Sequence, residues 1–217
     1  MSPASFALPR SGLTLLCLGA HPDDIEIGAG GTVLRWIAEK RVRRVVWVVF
    51  SGAGTERERE AKRGARRFLR NVPSTEVHVE GFRDGFFPGQ HAAIKELFEG
   101  LKDVAPDVIL THQTEEHHQD HAIVGELTWN TFRDHVILEY EVPKYDGLRG
   151  RPNLYVSLPP AIRRRKVDAL MSVFGTQRSK RWFTPETFEG LMRLRGVESA
   201  APDGYAEAFV ARKVLVG

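Results

Sequence analysis

Residues Leu15 to Gly31 read LLCLGAHPDDIEIGAGG. An apolar run that ends in small residues and then breaks into a polar turn predicts a buried strand emptying into a loop. His21, Asp23 and Asp24 therefore fall at a strand's carboxyl end. Gly28, Gly30 and Gly31 follow, and then a stretch of helical period from Thr32 to Lys40, with Val33, Leu34, Trp36 and Ile37 as its apolar members. Open α/β sheets place their ligands at such junctions. An imidazole and two adjacent carboxylates crowded there call for a cation among them, with a divalent metal as the obvious candidate.

Working outward, Arg44 to Phe50 (RVVWVVF) is a second β-branched run ending in the loop Ser51-Gly52-Ala53-Gly54. Strand, helix and strand in that space predict a parallel pair with a right-handed crossover. The charged segment Thr55 to Arg70 has the composition of an exposed helix. Glu76 to Val79 is a short third strand, Gly81 to Gly89 a turn-rich loop, Ala92 to Lys102 a helix, and Asp107 to Thr111 a fourth strand. Further on, His121 to Arg133 has helical period and Val136 to Tyr140 is strand-like, followed by a Pro/Gly-rich connection, Val142 to Pro152. Short strands at Leu154 to Leu158 and Phe209 to Val216 flank helical stretches at Pro160 to Phe174 and Thr184 to Arg195. Strands alternating with helices predict one α/β domain over residues 1–217: a three-layer, Rossmann-like, mostly parallel sheet with helices on both faces. Residues 1–12 form an N-terminal arm, and 142–217 carry fewer signals.

The exit of the fourth strand, His112 to Asp120 (HQTEEHHQD), followed by His121, mirrors the first cluster. In a parallel sheet both loops emerge on one edge, so His21, Asp23, Asp24, His118, Asp120 and His121 form one pool. Two imidazoles and one carboxylate, with a fourth position left to water, make a known catalytic zinc arrangement. His112 and His117 are expected to face solvent or support the loop.

Ala20-His21-Pro22-Asp23-Asp24 with Glu26 and the glycines, joined to His118-x-Asp120-His121, resembles the PIG-L or LmbE-like family of N-acetylglucosaminyl-phosphatidylinositol de-N-acetylases. The resemblance implies a hydrolase, dependent on one zinc per chain, that removes an acetyl group from an N-acetylated sugar. It implies His21, Asp24 and His121 as metal ligands and Asp23 as general base. His118 would be the cationic acid and oxyanion stabiliser, oriented by Asp120. The chain departs from the family pattern at Gln119, where proline is common, and at Glu116, where aspartate is.

The remaining features have bland counterparts. Arg57 and Asp84 are candidates for sugar contacts, although Arg57 also suits an exposed helix and Asp84 the Asp84-Gly85 turn. Phe86 and Phe87 suit a stacking wall or a small satellite core. Arg163-Arg164-Arg165-Lys166 reads as a phosphate receiver or, more ordinarily, as the wet face of a helix. Gly28-x-Gly30-Gly31 lacks the spacing of a dinucleotide fingerprint and has two aspartates where a pyrophosphate would lie. Its glycines are expected to permit close approach of the helix.

A net charge of +3 spread over 217 residues gives no case for nucleic acid as a partner. Cys17, the single cysteine, rules out an intrachain disulfide and suits a reducing cytoplasm. No membrane span is expected, and the pattern leaves the oligomeric state open. Two rivals to the sugar deacetylase stand: a metal-dependent amidase acting on a larger conjugate, and a non-catalytic sugar- or nucleotide-binding module of the same fold.

Overall fold

A computed structural model describes residues 11–145, 147–148 and 150–213. Most of the expected N-terminal arm and the last residues of the expected terminal strand lie outside these. The described residues form one seven-stranded sheet in the order β3-β2-β1-β4-β5-β7-β6. The strands are β1 (Leu13–Gly19), β2 (Val42–Ser51), β3 (Ser74–Phe82), β4 (Val108–His112), β5 (Val136–Tyr140), β6 (Leu154–Ser157) and β7 (Ala206–Val210). The first five run parallel, whereas β7 is antiparallel to both β5 and β6. The fold is thus the expected mostly parallel Rossmann-like sheet, closed at one edge by an antiparallel pair.

Helices α1 (Asp24–Ala38), α2 (Glu56–Phe68), α5 (Pro160–Val173) and α6 (Pro185–Glu198) cover one face, and α3 (His91–Gly100) and α4 (Gln119–Thr131) the other. Strand alternation feeds both layers. Leu15 and Cys17 of β1, with Val45, Trp47 and Val49 of β2, point into the core beneath α1 and α2. Leu16, Leu18, Val46, Val48 and Phe50 point into the core beneath α3 and α4. Because both faces are covered, these strands read as unbroken apolar runs. The α2 segment is amphipathic rather than exposed throughout: Glu60, Ala61, Gly64, Ala65 and Phe68 are buried.

The first helix begins at Asp24, eight residues ahead of the predicted Thr32, so the glycines lie inside it. They are small because of what packs on them. A Cβ on Gly28 would come within 2.2 Å of the Tyr140 ring, and one on Gly30 within 2.4 Å of the Phe68 ring. Close packing and the acids of the first turn outweigh the low helix propensity of glycine. At the next turn the N–H groups of Gly31 and Thr32 donate to Glu207 at 2.7 and 2.6 Å, while Lys166 donates to the Ile27 carbonyl and pairs with Glu207. Lys166, expected on a wet face, is therefore buried in a polar insert between α1, α5 and β7.

The order reverses direction at β1, whose neighbours are β2 and β4. The crevice outside the carboxyl ends of β1 and β4 is the topological switch point of the sheet. Both histidine-containing loops open there.

Candidate metal and catalytic site

The turn between β1 and α1 carries Asp23 at φ 105° and ψ −22°. Positive φ is costly for a side chain with a Cβ, and such residues persist where surrounding structure over-determines them. Here the Asp24 carboxylate accepts from the His21 N–H at 2.7 Å and the Ile27 N–H donates to the Asp23 carbonyl at 2.9 Å. The turn therefore holds His21, Asp23 and Asp24 side by side, all buried.

From β4 and the loop after it come His112, Glu116, His118, Asp120 and His121. His21 Nδ1, Asp24 Oδ2 and His121 Nε2 form a nearly equilateral triangle, with separations of 3.2, 3.2 and 3.3 Å. Ligands on a tetrahedron at zinc's usual bond lengths to nitrogen and oxygen stand about 3.3–3.4 Å apart. The second nitrogen of each ring meets a carboxylate: His21 Nε2 lies 3.1 Å from Asp120, and His121 Nδ1 is bonded to Glu116. A carboxylate behind an imidazole fixes its tautomer and aims the other nitrogen at a metal. By both spacing and tautomer control, these residues fit a single divalent ion.

The charges agree. Burial pushes the Asp24 carboxyl up, but Lys144, His121 and His21 outweigh it and hold it well below the carboxylate range. Burial alone would lower His21; Asp24, Asp120 and Asp84 reverse that and raise it well above the ordinary value. Burial and the neighbouring His112 hold His121 well below. The cluster draws a positive charge to its centre. Burial, only partly offset by Arg57, pushes Asp23 up to about 6.

Asp120 meets the His21 ring, where the resemblance implies that it orients His118. Its oxygens accept from Gly85 N–H at 2.6 Å and Phe87 N–H at 3.1 Å as well as facing His21. This ties the first turn of α4 to the loop after β3. Gln119, where proline is common in the family pattern, donates to the Gly85 carbonyl and reinforces the same join. His118 sits on the rim with its ring 4.8 Å from that of His21, and its buried Nδ1 has no hydrogen-bond partner among the described residues. Burial, with the charges of His21 and Lys144, lowers its pKa.

Arg57 faces inward. Its guanidinium lies 3.2 Å from Asp23, donates to the Pro22 carbonyl, and reaches Glu60 at 2.9 Å and Thr176 at 3.1 Å. It braces Asp23 instead of standing free for a sugar. Asp84 does reach the site, 3.1 Å from His21 Nε2, with its side chain 76% exposed. Of the two aromatics, Phe87 is buried while Phe86 is exposed beneath Arg83.

Three further participants lie outside the two motifs; Tyr140 and Lys144, read from the sequence only as residues for the pocket mouth, reach the cluster itself. His112 is the last residue of β4 and fully buried, not part of a solvated loop. Its Nε2 accepts from Ala20 N–H at 3.0 Å, and its ring stacks 3.8 Å from that of His121, fixing the plane of that ring. Burial lowers it to about 4. Tyr140 donates to the Leu18 carbonyl at 2.6 Å and packs on His112. Lys144 reaches Asp24 Oδ1 at 3.0 Å from the β5–β6 connection. The strand boundary one residue late and the long lysine side chain are features that periodicity does not report.

The GlcNAc-PI de-N-acetylase family, PIG-L, matches residues 16–132. A curated relative, the uncharacterized deacetylase YaiS of Escherichia coli K12, is 28% identical over 150 residues, 64% of this chain and 78% of that protein. The N,N'-diacetylchitobiose deacetylase of Pyrococcus horikoshii superposes with TM-score 0.68 at 20% identity, over 90% of this chain and 82% of its own. The 4-carboxy-2-hydroxymuconate hydratase GalB of Pseudomonas putida superposes with TM-score 0.67 at 18% identity, over 95% and 98%. The fold thus hosts more than one reaction, and the chemistry must be read from the side chains. Among the described residues no helix is long and apolar enough to cross a membrane. With the family match spanning both histidine-containing loops and more than half of the sequence, the chain belongs to the PIG-L family of de-N-acetylases.

Proposed function

We propose that the chain is a zinc-dependent hydrolase that removes the acetyl group from an N-acetylglucosamine-type sugar or glycoconjugate. The observation that carries this reading is the triangle of His21, Asp24 and His121 with a braced carboxylate, Asp23, beside it. His21, Asp24 and His121 would hold one zinc, which when bound lowers the pKa of water toward ~7 and polarises a carbonyl.

Asp23 is the general base. Its pKa of about 6 leaves it ionised near neutrality yet basic enough to accept a proton from water. Arg57 and the strained turn keep it aimed. His118, on the rim with an unpartnered ring nitrogen, donates a hydrogen bond to the acetyl oxygen as negative charge develops there. The departing amine takes its proton from Asp23 or His118. Asp84, exposed beside His21, and the Phe86 ring are the groups available to sugar hydroxyls and the sugar face.

Release of acetate from a panel of N-acetyl sugars, with longer N-acyl conjugates alongside, tests the reading. Acetate release that disappears in Asp23→Ala while zinc content stays near one per chain is the expected result. Turnover of the longer conjugates alone favours an amidase, and sugar binding without turnover favours a module. A fully active Asp23→Ala removes Asp23 as the base. Absence of acetate release with activity on an unsaturated acid would align the chain with the hydratase that shares its fold.

A further inference from the structure

Lys144 occupies a place that the reaction outlined above does not use. Its ammonium stands 3.0 Å from Asp24 Oδ1 and 3.2 Å from His121 Nε2, touching two of the three corners of the triangle. The side chain is 17% exposed, and the Trp182 ring centroid lies 5.8 Å from Nζ. We propose that Lys144 is a built-in occupant of the metal cage, competing with the metal for His121 and Asp24 and withdrawing when the ion enters. The proposal rests on the metal reading of the site.

The argument is one of lone pairs. His121 Nδ1 is engaged by Glu116, so Nδ1 carries the ring hydrogen and Nε2 offers a single lone pair. That lone pair can accept from an ammonium or bind a metal, and cannot do both. Asp24 poses the same choice electrostatically, because a buried ammonium and a dication on the same carboxylate repel strongly.

Without any cation Asp24 would be a buried carboxylate among Asp23, Asp120 and Glu116, a costly arrangement. Lys144 sets an ammonium 3.0 Å from that carboxylate. A lysine suits this role. Four rotatable bonds let the ammonium leave without moving the backbone, and an aromatic face next to it provides a resting place.

Titration of the metal-stripped full chain with Zn2+ against a chromophoric chelator, at one pH near neutrality, tests the proposal. Lys144→Met should bind Zn2+ about tenfold more tightly or better, the scale on which groups around a site move metal affinity. Lys144→Arg, which keeps the charge, should stay close to wild type. Affinity of Lys144→Met equal to or weaker than wild type overturns the competition and leaves the metal site standing. Absence of Zn2+ uptake by wild type and variant alike overturns the metal reading and this proposal with it. Should the Met variant fail to fold, the wild-type chain serves: acetylation of Lys144 by an amine reagent, read by peptide mass, should rise severalfold on adding Zn2+. Unchanged or reduced labelling overturns the proposal.

Discussion

The carboxylate of Asp120 lies 3.1 Å from Nε2 of His21, on the side of the ring away from Asp24 and His121. The aspartate of the second motif thus steers the histidine of the first. Asp120→Asn should weaken Zn2+ binding about 10- to 100-fold, the usual cost of losing a carboxylate behind a metal-bound imidazole. Were Asp120 an orienter of His118, affinity would be unchanged and only turnover would fall. Comparing zinc affinities of Asp120→Asn and His118→Ala separates the two, with His118→Ala expected to bind as wild type.

Arg57 is the positive charge closest in effect to Asp23, and it opposes the upward push of burial on that carboxyl. If Asp23 is the base, kcat/KM rises with pH as Asp23 ionises, with an acidic limb near pH 6. Arg57→Gln removes a group that lowers this pKa, so the limb should move to higher pH, while Arg57→Lys should largely restore it. A pure sugar contact would change KM and leave the limb in place.

The strands and both histidine-containing loops were legible because buried parallel strands are long apolar runs, and such runs are rare elsewhere in a sequence. The start of α1 was not, because glycines that disfavour an isolated helix are required here by the Tyr140 and Phe68 rings. That requirement is a tertiary fact. The triangle of His21, Asp24 and His121 follows from two motifs a hundred residues apart that the sheet brings to one edge. The partners behind it, Asp120 on His21 and Glu116 on His121, depend on which way each ring turns. His112 and Lys144 stood outside the motifs altogether, since a strand end and a loop lysine carry no pattern of their own.

Gly28 and Gly100 make a matched pair for testing the packing of α1. Alanine at Gly28 gains about 0.5–1 kcal/mol of helix preference, yet its methyl would come within 2.2 Å of the Tyr140 ring. Overpacking of a core costs about 1–3 kcal/mol, so the clash wins. Gly28→Ala should lower Tm by about 2–4 °C per kcal/mol lost. It should also impair zinc binding, because Tyr140 packs on His112, which stacks on His121. Gly100, where a methyl meets nothing within 4 Å, should accept alanine without loss of stability. Equal melting of the two variants would show that Tyr140 yields freely.

Glu26 is fully buried, and neither of its carboxylate oxygens has a hydrogen-bond partner among the described residues. Burial, reinforced by Asp23 and Asp24, pushes its pKa up to about 8. In the unfolded chain a glutamate titrates near ~4.3. Between those values the folded protein holds a proton that the unfolded chain has released, so stability falls as pH rises. The slope from this one group is at most about 1.4 kcal/mol per pH unit. Glu26→Gln removes it. In the metal-stripped protein the variant should match wild type near the unfolded pKa and gain on it steadily toward pH 8, as read by urea unfolding across the range. Parallel stability curves for the two proteins would show that Glu26 is ionised in place, and that the nearby cation, Arg57, is compensating it.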